Sequence, residues 1–311
     1  MADKPSRALV VYGDGLARFV DPSHTHLHSL ASKASCGFLS LPNAPLSESE
    51  DERIVREFAL LLDSWEAYLN WKGDTTNDEC QNKSLIPTIS ESFMGMKAAV
   101  ITNNSSLESF GTKLGFTVLE SKDFTKNAEN SFMASELLKL LGFQEGKTLD
   151  ISQFDLVFVH IGPGEKEDKT VANALEYVNS LVGEILNLAE PGSDVGSRLH
   201  FSVVMSYGSV SEDDDCLKTS VLISETEKDA NLSSLFPRQS YTMRGENQRK
   251  DVRHYCPMLI AQWQYAVTRK DTAETFSFED FKEYGGNLII PADRFLHEVA
   301  FKLWKAPKYG A

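Results

Sequence analysis

Short apolar runs alternate with amphipathic segments along this 311-residue chain, and this alternation constrains the possible fold more than any other feature. Residues 154–161, FDLVFVHI, predict a strand buried on both faces, because large apolar residues occupy successive positions. Residues 171–185 then carry Val, Ala, Leu and Ile at helical spacing, which indicates a helix packed on the sheet. The chain therefore predicts an α/β fold with a largely parallel sheet covered by helices on both faces.

The same reasoning predicts further elements on either side of this unit. Residues 50–71 predict one long helix with acidic residues in its first turn. Pro257 favours an edge position for the strand within 255–267, because proline cannot donate to a ladder. Other strands are predicted at 7–13, 96–102, 116–120 and 200–206. We expect a single domain over 1–311, with a loop at 72–92 and a long surface excursion at 207–252.

Charge and composition exclude several classes of protein. A formal net charge of −14 argues against a nucleic-acid partner, since phosphate binding needs clustered Lys and Arg. No apolar run has the ~20 residues that a membrane span needs. The first residues, MADKPSR, lack the apolar region of a signal peptide. Four cysteines at 36, 80, 216 and 256, without a CxxC pair, predict reduced thiols, and so we expect a cytoplasmic protein.

Candidate ligands for a metal ion stand at the predicted carboxyl ends of strands, where α/β sheets bind ligands. Asp14, Glu165, Asp168 and His254 have the side chains that Mg²⁺, Mn²⁺ or Zn²⁺ would take. The alternative is structural: an Asp in a Gly-Asp-Gly turn often caps its own backbone, and the two acidic loop residues would then only face water. Spacing alone does not decide between a metal site and a solvated turn.

Glycine-rich segments near these ends do not match the nucleotide-binding motifs. In the loop GPGEKEDK, Glu167 stands where a P-loop would have its second glycine. In GDGLAR, Arg18 stands where a dinucleotide fingerprint would have its third glycine. We therefore exclude both motifs.

Several segments, in order, resemble the cofactor-independent (2,3-bisphosphoglycerate-independent) phosphoglycerate mutases, in their shorter branch, within the alkaline phosphatase superfamily. They are LVVYGDGLARF, THLHSLASKASCGFLSL, GMKAAVITNNSSLESFGTKLGFTVLE, FDLVFVHIGPGEKED, HFSVVMSYGS, RHYCPMLI and KYGA. The resemblance covers most of the chain except about 45–90 and 207–250. It implies an alkaline-phosphatase-like fold and an isomerase that uses two divalent cations and a serine nucleophile. Asp14 matches one metal ligand of the family, and His254 matches another.

Other positions depart from the family pattern. An Asp and a His of the family's metal loop are replaced by Glu165 and Lys169, and an ammonium at a ligand position would repel a cation. The family's Asp-His pair after the next strand is replaced by Ser206 and Tyr207, neither of which is a usual ligand for a hard dication. The resemblance therefore implies an eroded metal site.

The nucleophile and the substrate-binding cap domain of the family are also in question. Ser47 and Ser49 are the only serines near the expected position, and their acidic neighbours would repel a phosphorylated substrate. The cap is mostly deleted, and residues 72–92 resemble only a remnant of it.

These departures favour a phosphoglycerate-mutase-like pseudoenzyme with a binding or regulatory role, whose partner is an unknown protein or a small anionic metabolite. No cofactor is then expected. The alternative is an active, glycolysis-related mutase or a related phosphohydrolase, which would use Mn²⁺, Mg²⁺ or Zn²⁺ held by Asp14, Glu165, Asp168 and His254.

Overall fold

An eight-stranded sheet forms the centre of the protein. The computed structural model describes residues 5–45, 47–75, 86–120, 130–144, 146–149, 151–162, 168–210, 243–244, 247–248, 252–253, 255–265, 269–285 and 289–307. The strands are β1 (Arg7–Gly13), β2 (Ser35–Ser40), β3 (Ala98–Thr102), β4 (Thr117–Glu120), β5 (Phe143–Gln144), β6 (Lys147–Thr148), β7 (Leu156–Ile161), β8 (Leu199–Met205), β9 (Met243–Arg244), β10 (Asn247–Gln248), β11 (Met258–Trp263) and β12 (Ile289–Pro291). The central sheet has the order β12-β2-β11-β8-β1-β7-β3-β4.

Among the described strands of this sheet, β11 alone runs antiparallel to its neighbours, and the remaining pairs are parallel. The predicted largely parallel α/β sheet is therefore confirmed. The strand predicted at 154–161 is central as expected: β7 lies between β1 and β3, and its residues from Leu156 to His160 are buried.

Helices cover both faces of the sheet. They are α1 (Thr25–Lys33), α2 (Glu50–Leu61), α3 (Trp65–Thr75), α4 (Ile89–Ser92), α5 (Ser105–Lys113), α6 (Asn130–Leu140), α7 (Asp168–Leu188), α8 (Asp194–Arg198), α9 (Phe278–Tyr284) and α10 (Phe295–Lys302). Strand β1 divides the core, since Leu9 and Val11 pack with α1, α6 and α7, whereas Val10 and Tyr12 pack with α2, α5 and α10. This alternation is the period of two that a strand imposes on its side chains.

Three sequence predictions need correction. The helix predicted at 50–71 is two helices, because the chain turns at Asp63, which has a positive φ of 52°. The predicted edge strand β11 is an interior strand, since Pro257 precedes Met258, its first paired residue, and removes no ladder hydrogen bond. The predicted loop at 72–92 is helical at both ends, in α3 and α4, and residues 76–85 lie outside the described part.

Two further sequence predictions concern segments away from the central sheet. Most of the predicted excursion at 207–252 lies outside the described residues, and β9 and β10 form a separate small sheet within it. Cys36 is a free, buried thiol, but Cys256 is disulfide-bonded, so the expectation of reduced thiols is wrong for that residue. No helix among the described residues is long and apolar enough to cross a membrane.

The loops that follow β1 and β8 touch each other, and this contact places the side chains described below. Gly15 and Gly208 both have positive φ, at 69° and 71°. A Cβ on Gly208 would lie 3.1 Å from the Cα of Gly15, so a side chain there would push the two loops apart. Glycine is required at this crossing for its conformation and for its size.

We expect Gly208→Ala to lower the free energy of unfolding by more than Gly192→Ala does. Gly192 has a φ of 90° and open space around its missing Cβ, so its substitution carries only the left-handed backbone cost, about 1–2 kcal/mol. Gly208→Ala has the same backbone cost, and in addition its Cβ would lie too close to the Cα of Gly15. Urea unfolding of both variants measures the difference, and equal losses would show that the loop crossing is not tightly packed.

Candidate functional site

Asp14 and Ser206 meet at the carboxyl ends of neighbouring strands. The register pairs Gly13 with Ile161 of β7 and with Met205 of β8, so the residues that follow these strands start side by side. The backbone N–H of Asp14 donates to the Ile161 carbonyl at 2.8 Å, and that of Ser206 donates to the Gly13 carbonyl at 3.0 Å. The Ser206 hydroxyl then donates to Asp14 Oδ1 at 2.9 Å and accepts from the Gly15 N–H at 3.0 Å.

Arg53 of α2 binds the Asp14 carboxylate through both of its terminal nitrogens. Nη1 donates to Asp14 Oδ1 at 2.9 Å, and Nη2 donates to Asp14 Oδ2 at 2.8 Å. The same guanidinium donates to Glu57 Oε2 at 3.0 Å and to the two carboxylate oxygens of Glu50 at 2.6 and 2.9 Å. A guanidinium has five N–H groups, and all five N–H groups of Arg53 donate to carboxylate oxygens.

The start of α2 fixes where Arg53 lies. Ser49 is the N-cap, and its hydroxyl accepts from the Glu52 N–H while the Glu52 carboxylate accepts from the Ser49 N–H, which is a capping box. Arg53 follows one turn later, and Glu57 follows Arg53 by four residues, so the two lie on the same helix face. That face is turned toward Asp14 and the end of β1.

Asp14, Arg53 and Glu57, the centre of this hydrogen-bond network, are buried, and burial determines their electrostatics. Asp14 and Glu57 are fully buried, and the Arg53 side chain is 3% exposed. Burial alone would raise the pKa of Asp14, but the nearby ring of His160 and the charge and hydrogen bonds of Arg53 outweigh it and hold that pKa well below its usual range. Burial raises the pKa of Glu57, and nearby Asp14 raises it further against the opposing charge of Arg53.

His160 and Tyr12 complete the surroundings of Asp14. The His160 Nδ1 is 2.8 Å from the Thr102 hydroxyl, which orients the ring. Its Nε2 lies 3.9 Å from Asp14 Oδ2, which is longer than a hydrogen bond, so we take its effect on Asp14 as electrostatic. The Tyr12 hydroxyl lies 3.3 Å from both Asp14 Oδ1 and Glu57 Oε2, between the two buried carboxylates.

The candidate residues from the sequence are only partly described. Asp14 is at the centre of the network. Ser47 and Ser49 are exposed, and the Ser49 hydroxyl caps α2. Asp168 is the first residue of α7, and its side chain lies outside the described part, as do Glu165 and His254.

Arg53 and Glu57 are site residues that were not predicted from the sequence. The available signal was their spacing: Glu50, Arg53 and Glu57 share one helix face with Leu61, which is fully buried. Charged residues on the buried face of a helix need partners, and a carboxylate at the end of β1 was a candidate.

Asp14 does not fit a divalent cation in this arrangement. Both of its carboxylate oxygens accept hydrogen bonds from Arg53, and a cation within coordination distance of them would lie beside a guanidinium. Among the described residues, no group of three or more His, Cys, Asp or Glu side chains could hold a metal ion. The nearest described neighbours of Asp14 are instead donors, namely Arg53, Ser206 and Tyr12.

Comparisons with known proteins support the fold. No family model matches the chain, and no curated protein matches it. Among solved structures, the PH0037 protein from Pyrococcus horikoshii superposes with a TM-score of 0.56 at 13% identity, covering 100% of both chains. The chain shares that protein's fold.

Two further structures come from the families that the sequence resembles. The cofactor-independent phosphoglycerate mutase from Thermoplasma acidophilum DSM 1728 has a TM-score of 0.48 and 10% identity, covering 96% of this chain and 99% of that one. The alkaline phosphatase from the Antarctic bacterium TAB5 has a TM-score of 0.46 and 8% identity, covering 99% and 100%.

We expect Arg53→Met to lower the free energy of unfolding by about 3–5 kcal/mol, because it leaves the buried Asp14 and Glu57 carboxylates without this cation. Asp14→Asn should lower it by less, because Arg53 keeps Glu50 and Glu57 as partners. The double variant should lose at least ~1 kcal/mol less than the sum of the two. Urea unfolding measures all three. As a control, Lys139→Ala removes an exposed ion pair with Glu136 and should change stability by less than ~1 kcal/mol. Additive losses at Asp14 and Arg53 would contradict the buried pair.

Proposed function

We propose that this protein is a phosphoglycerate-mutase-like pseudoenzyme, in which the guanidinium of Arg53 replaces the cation that the resemblance implies at Asp14. The observation that supports it best is the two-pronged hydrogen bonding of Arg53 to Asp14. Arg53 supplies a positive charge that the fold carries permanently, because a guanidinium does not lose its proton in a protein.

Arg53 cannot take over the catalytic work of a cation. Enzymatic phosphoryl transfer depends on charges that contact the transferred group and neutralise it. An arginine can do this when its N–H groups point at the phosphoryl oxygens. All five N–H groups of Arg53 are bound by Asp14, Glu50 and Glu57, so none is left for a substrate.

The candidate nucleophiles also lack support. A serine hydroxyl is a weak nucleophile unless a base or a metal activates it. Ser49 uses its hydroxyl to cap α2. Within the described residues, the Ser47 hydroxyl has no hydrogen-bond partner, and the side chain is exposed. The Ser206 hydroxyl donates a hydrogen bond to Asp14, but the Ser206 side chain is fully buried.

We infer a binding or regulatory role, because the chain keeps the fold while an ion pair between Arg53 and Asp14 occupies the position of the reaction centre. The candidate partners are another protein or a small anionic metabolite, and the resemblance suggests a role related to glycolysis. The alternative of an active, metal-dependent mutase would require Arg53 to leave Asp14 when a cation arrives.

Metal titration and a mutase assay test the proposal together. We expect millimolar Mg²⁺, Mn²⁺ or Zn²⁺ to give no saturable rise in melting temperature, because a ligand stabilises only in proportion to its occupancy. We also expect no conversion of 3-phosphoglycerate to 2-phosphoglycerate above background. An active member of the resembled family, assayed in the same buffers, is the positive control.

Two results would contradict the proposal. One is a saturable metal-dependent shift that Asp14→Ala abolishes. The other is mutase turnover that is lost in Ser47→Ala or Ser49→Ala, which would identify a working nucleophile in the acidic segment before α2.

A further inference from the structure

Three helices are followed by a residue other than glycine in the left-handed backbone conformation. Asp63 follows α2, Met94 follows α4 and Trp304 follows α10, with φ angles of 52°, 47° and 61°. Each stands directly after the C-cap, where glycine is usual because it has no Cβ. The same chain has Gly115 and Gly142 at the corresponding positions after α5 and α6.

The side chains of Met94 and Trp304 gain little from folding at these positions. Their exposed fractions are 68% and 66%. The left-handed conformation is strained for an L-residue, and an exposed apolar side chain offsets that strain with little burial. Strain that the fold itself does not need is typical of binding surfaces. The two side chains therefore indicate a contact with another molecule.

Contacts between the helix ends join these side chains into one surface. His297 Nε2 of α10 lies 2.8 Å from Asp63 Oδ2, and the His297 ring centroid lies 5.1 Å from that of Phe93, the neighbour of Met94. Trp304 follows His297 at a distance of about 10 Å along α10. Three of the five non-glycine residues with positive φ in the described part of the chain therefore lie close together.

Two further apolar side chains extend this surface along α3. Trp65 follows the turn at Asp63, and Leu69 lies one helical turn later on the same face. Their exposed fractions are 41% and 46%. We call Trp65, Leu69, Met94 and Trp304 the amino-end strip, because the strip lies near the amino ends of β3 and β7.

Opposite charges flank the two ends of the amino-end strip. At one end, Glu66 is exposed beside Trp65. At the other end, Asp155 Oδ2 accepts a hydrogen bond from the Lys97 backbone N–H at 3.0 Å and lies 3.2 Å from Lys305 Nζ. The Lys97 side chain is exposed, and two lysines beside one aspartate leave this end positive.

We propose that the amino-end strip is the contact surface between two copies of this chain, related by a two-fold axis that sets the Glu66 end of one copy against the Lys97 end of the other. In a two-fold interface the same patch serves both copies, so a patch with opposite charges at its two ends complements itself. The strip is independent of the proposed function, since Asp14 lies at the carboxyl end of β1 and the strip lies at the opposite end of the parallel strands.

The size of the amino-end strip determines how strong the contact can be. A stable interface buries about 800 Å² on each partner, and a large aromatic side chain supplies at most about 150–250 Å². The four side chains of the strip, which are already partly buried, fall short of a stable interface. Two chains with a net charge of −14 also repel each other. We therefore expect a weak dimer, with a Kd of about 10–100 µM.

Sedimentation velocity at rising chain concentration tests the contact, at about 0.15 M salt to screen the net repulsion. Met94→Gly and Trp304→Gly should each weaken dimerisation about fivefold or more. The dilute monomers of both variants should melt no lower than the wild type, because glycine relieves the left-handed strain. Thr272→Gly is the matched control, since Thr272 is exposed with a φ of 58° and lies outside the strip.

A charge exchange tests the two-fold arrangement. Glu66→Lys and Lys97→Glu should each weaken dimerisation about twofold or more, because each sets like charges against each other across the interface. The chain that carries both substitutions should dimerise like the wild type, since each end again meets its opposite in the other copy. A double variant no better than the single ones would overturn the two-fold arrangement.

Three other results would overturn the contact surface. One is a wild-type chain that stays monomeric up to about 300 µM, which would leave a different protein as the occupant of the strip. Another is a dimer that both glycine variants leave unchanged. The third is a dimer that Thr272→Gly weakens as much as Trp304→Gly does.

Discussion

The ion pair between Arg53 and Asp14 is the interaction on which the rest of the site depends. It joins the start of α2 to the end of β1, and Glu57, Glu50, Ser206 and Tyr12 take their positions around it. A buried pair of this kind contributes little net stability compared with apolar packing, but removing one partner strongly lowers the free energy of unfolding. The pair therefore matters more for the arrangement that it fixes than for net stability. It holds the positive charge of Arg53 at the end of β1.

A guanidinium and a dication solve the same electrostatic problem in different ways. Each neutralises the buried Asp14 carboxylate, which otherwise could not remain ionised at the centre of the sheet. A bound cation keeps coordination positions for a substrate, whereas all the N–H donors of Arg53 are hydrogen-bonded to protein carboxylates. The change from metal to arginine would preserve the fold while removing the reactive centre.

The sequence predicted the sheet well because buried strands and amphipathic helices have strong periodic signals. Strands β1, β3, β7 and β8 follow from their β-branched and apolar runs, whereas β2 is too mixed in composition to be recognised and β12 is too short. The sequence also placed Asp14 and Ser206 at the carboxyl ends of predicted strands, and the register shows that these strands are neighbours. The spacing of Arg53 and Glu57 places them on one helix face, but the sequence does not show that this face lies against Asp14, because that depends on how α2 packs on the sheet.

The most direct measurement is a crystal structure of the protein grown with millimolar Mn²⁺, with data collected at the manganese absorption edge. We expect no anomalous peak at Asp14 and a guanidinium of Arg53 that is still bound to both carboxylate oxygens. An anomalous peak within about 2.3 Å of Asp14, with Arg53 turned away from it, would contradict the account and would indicate a metal site that the arginine only covers.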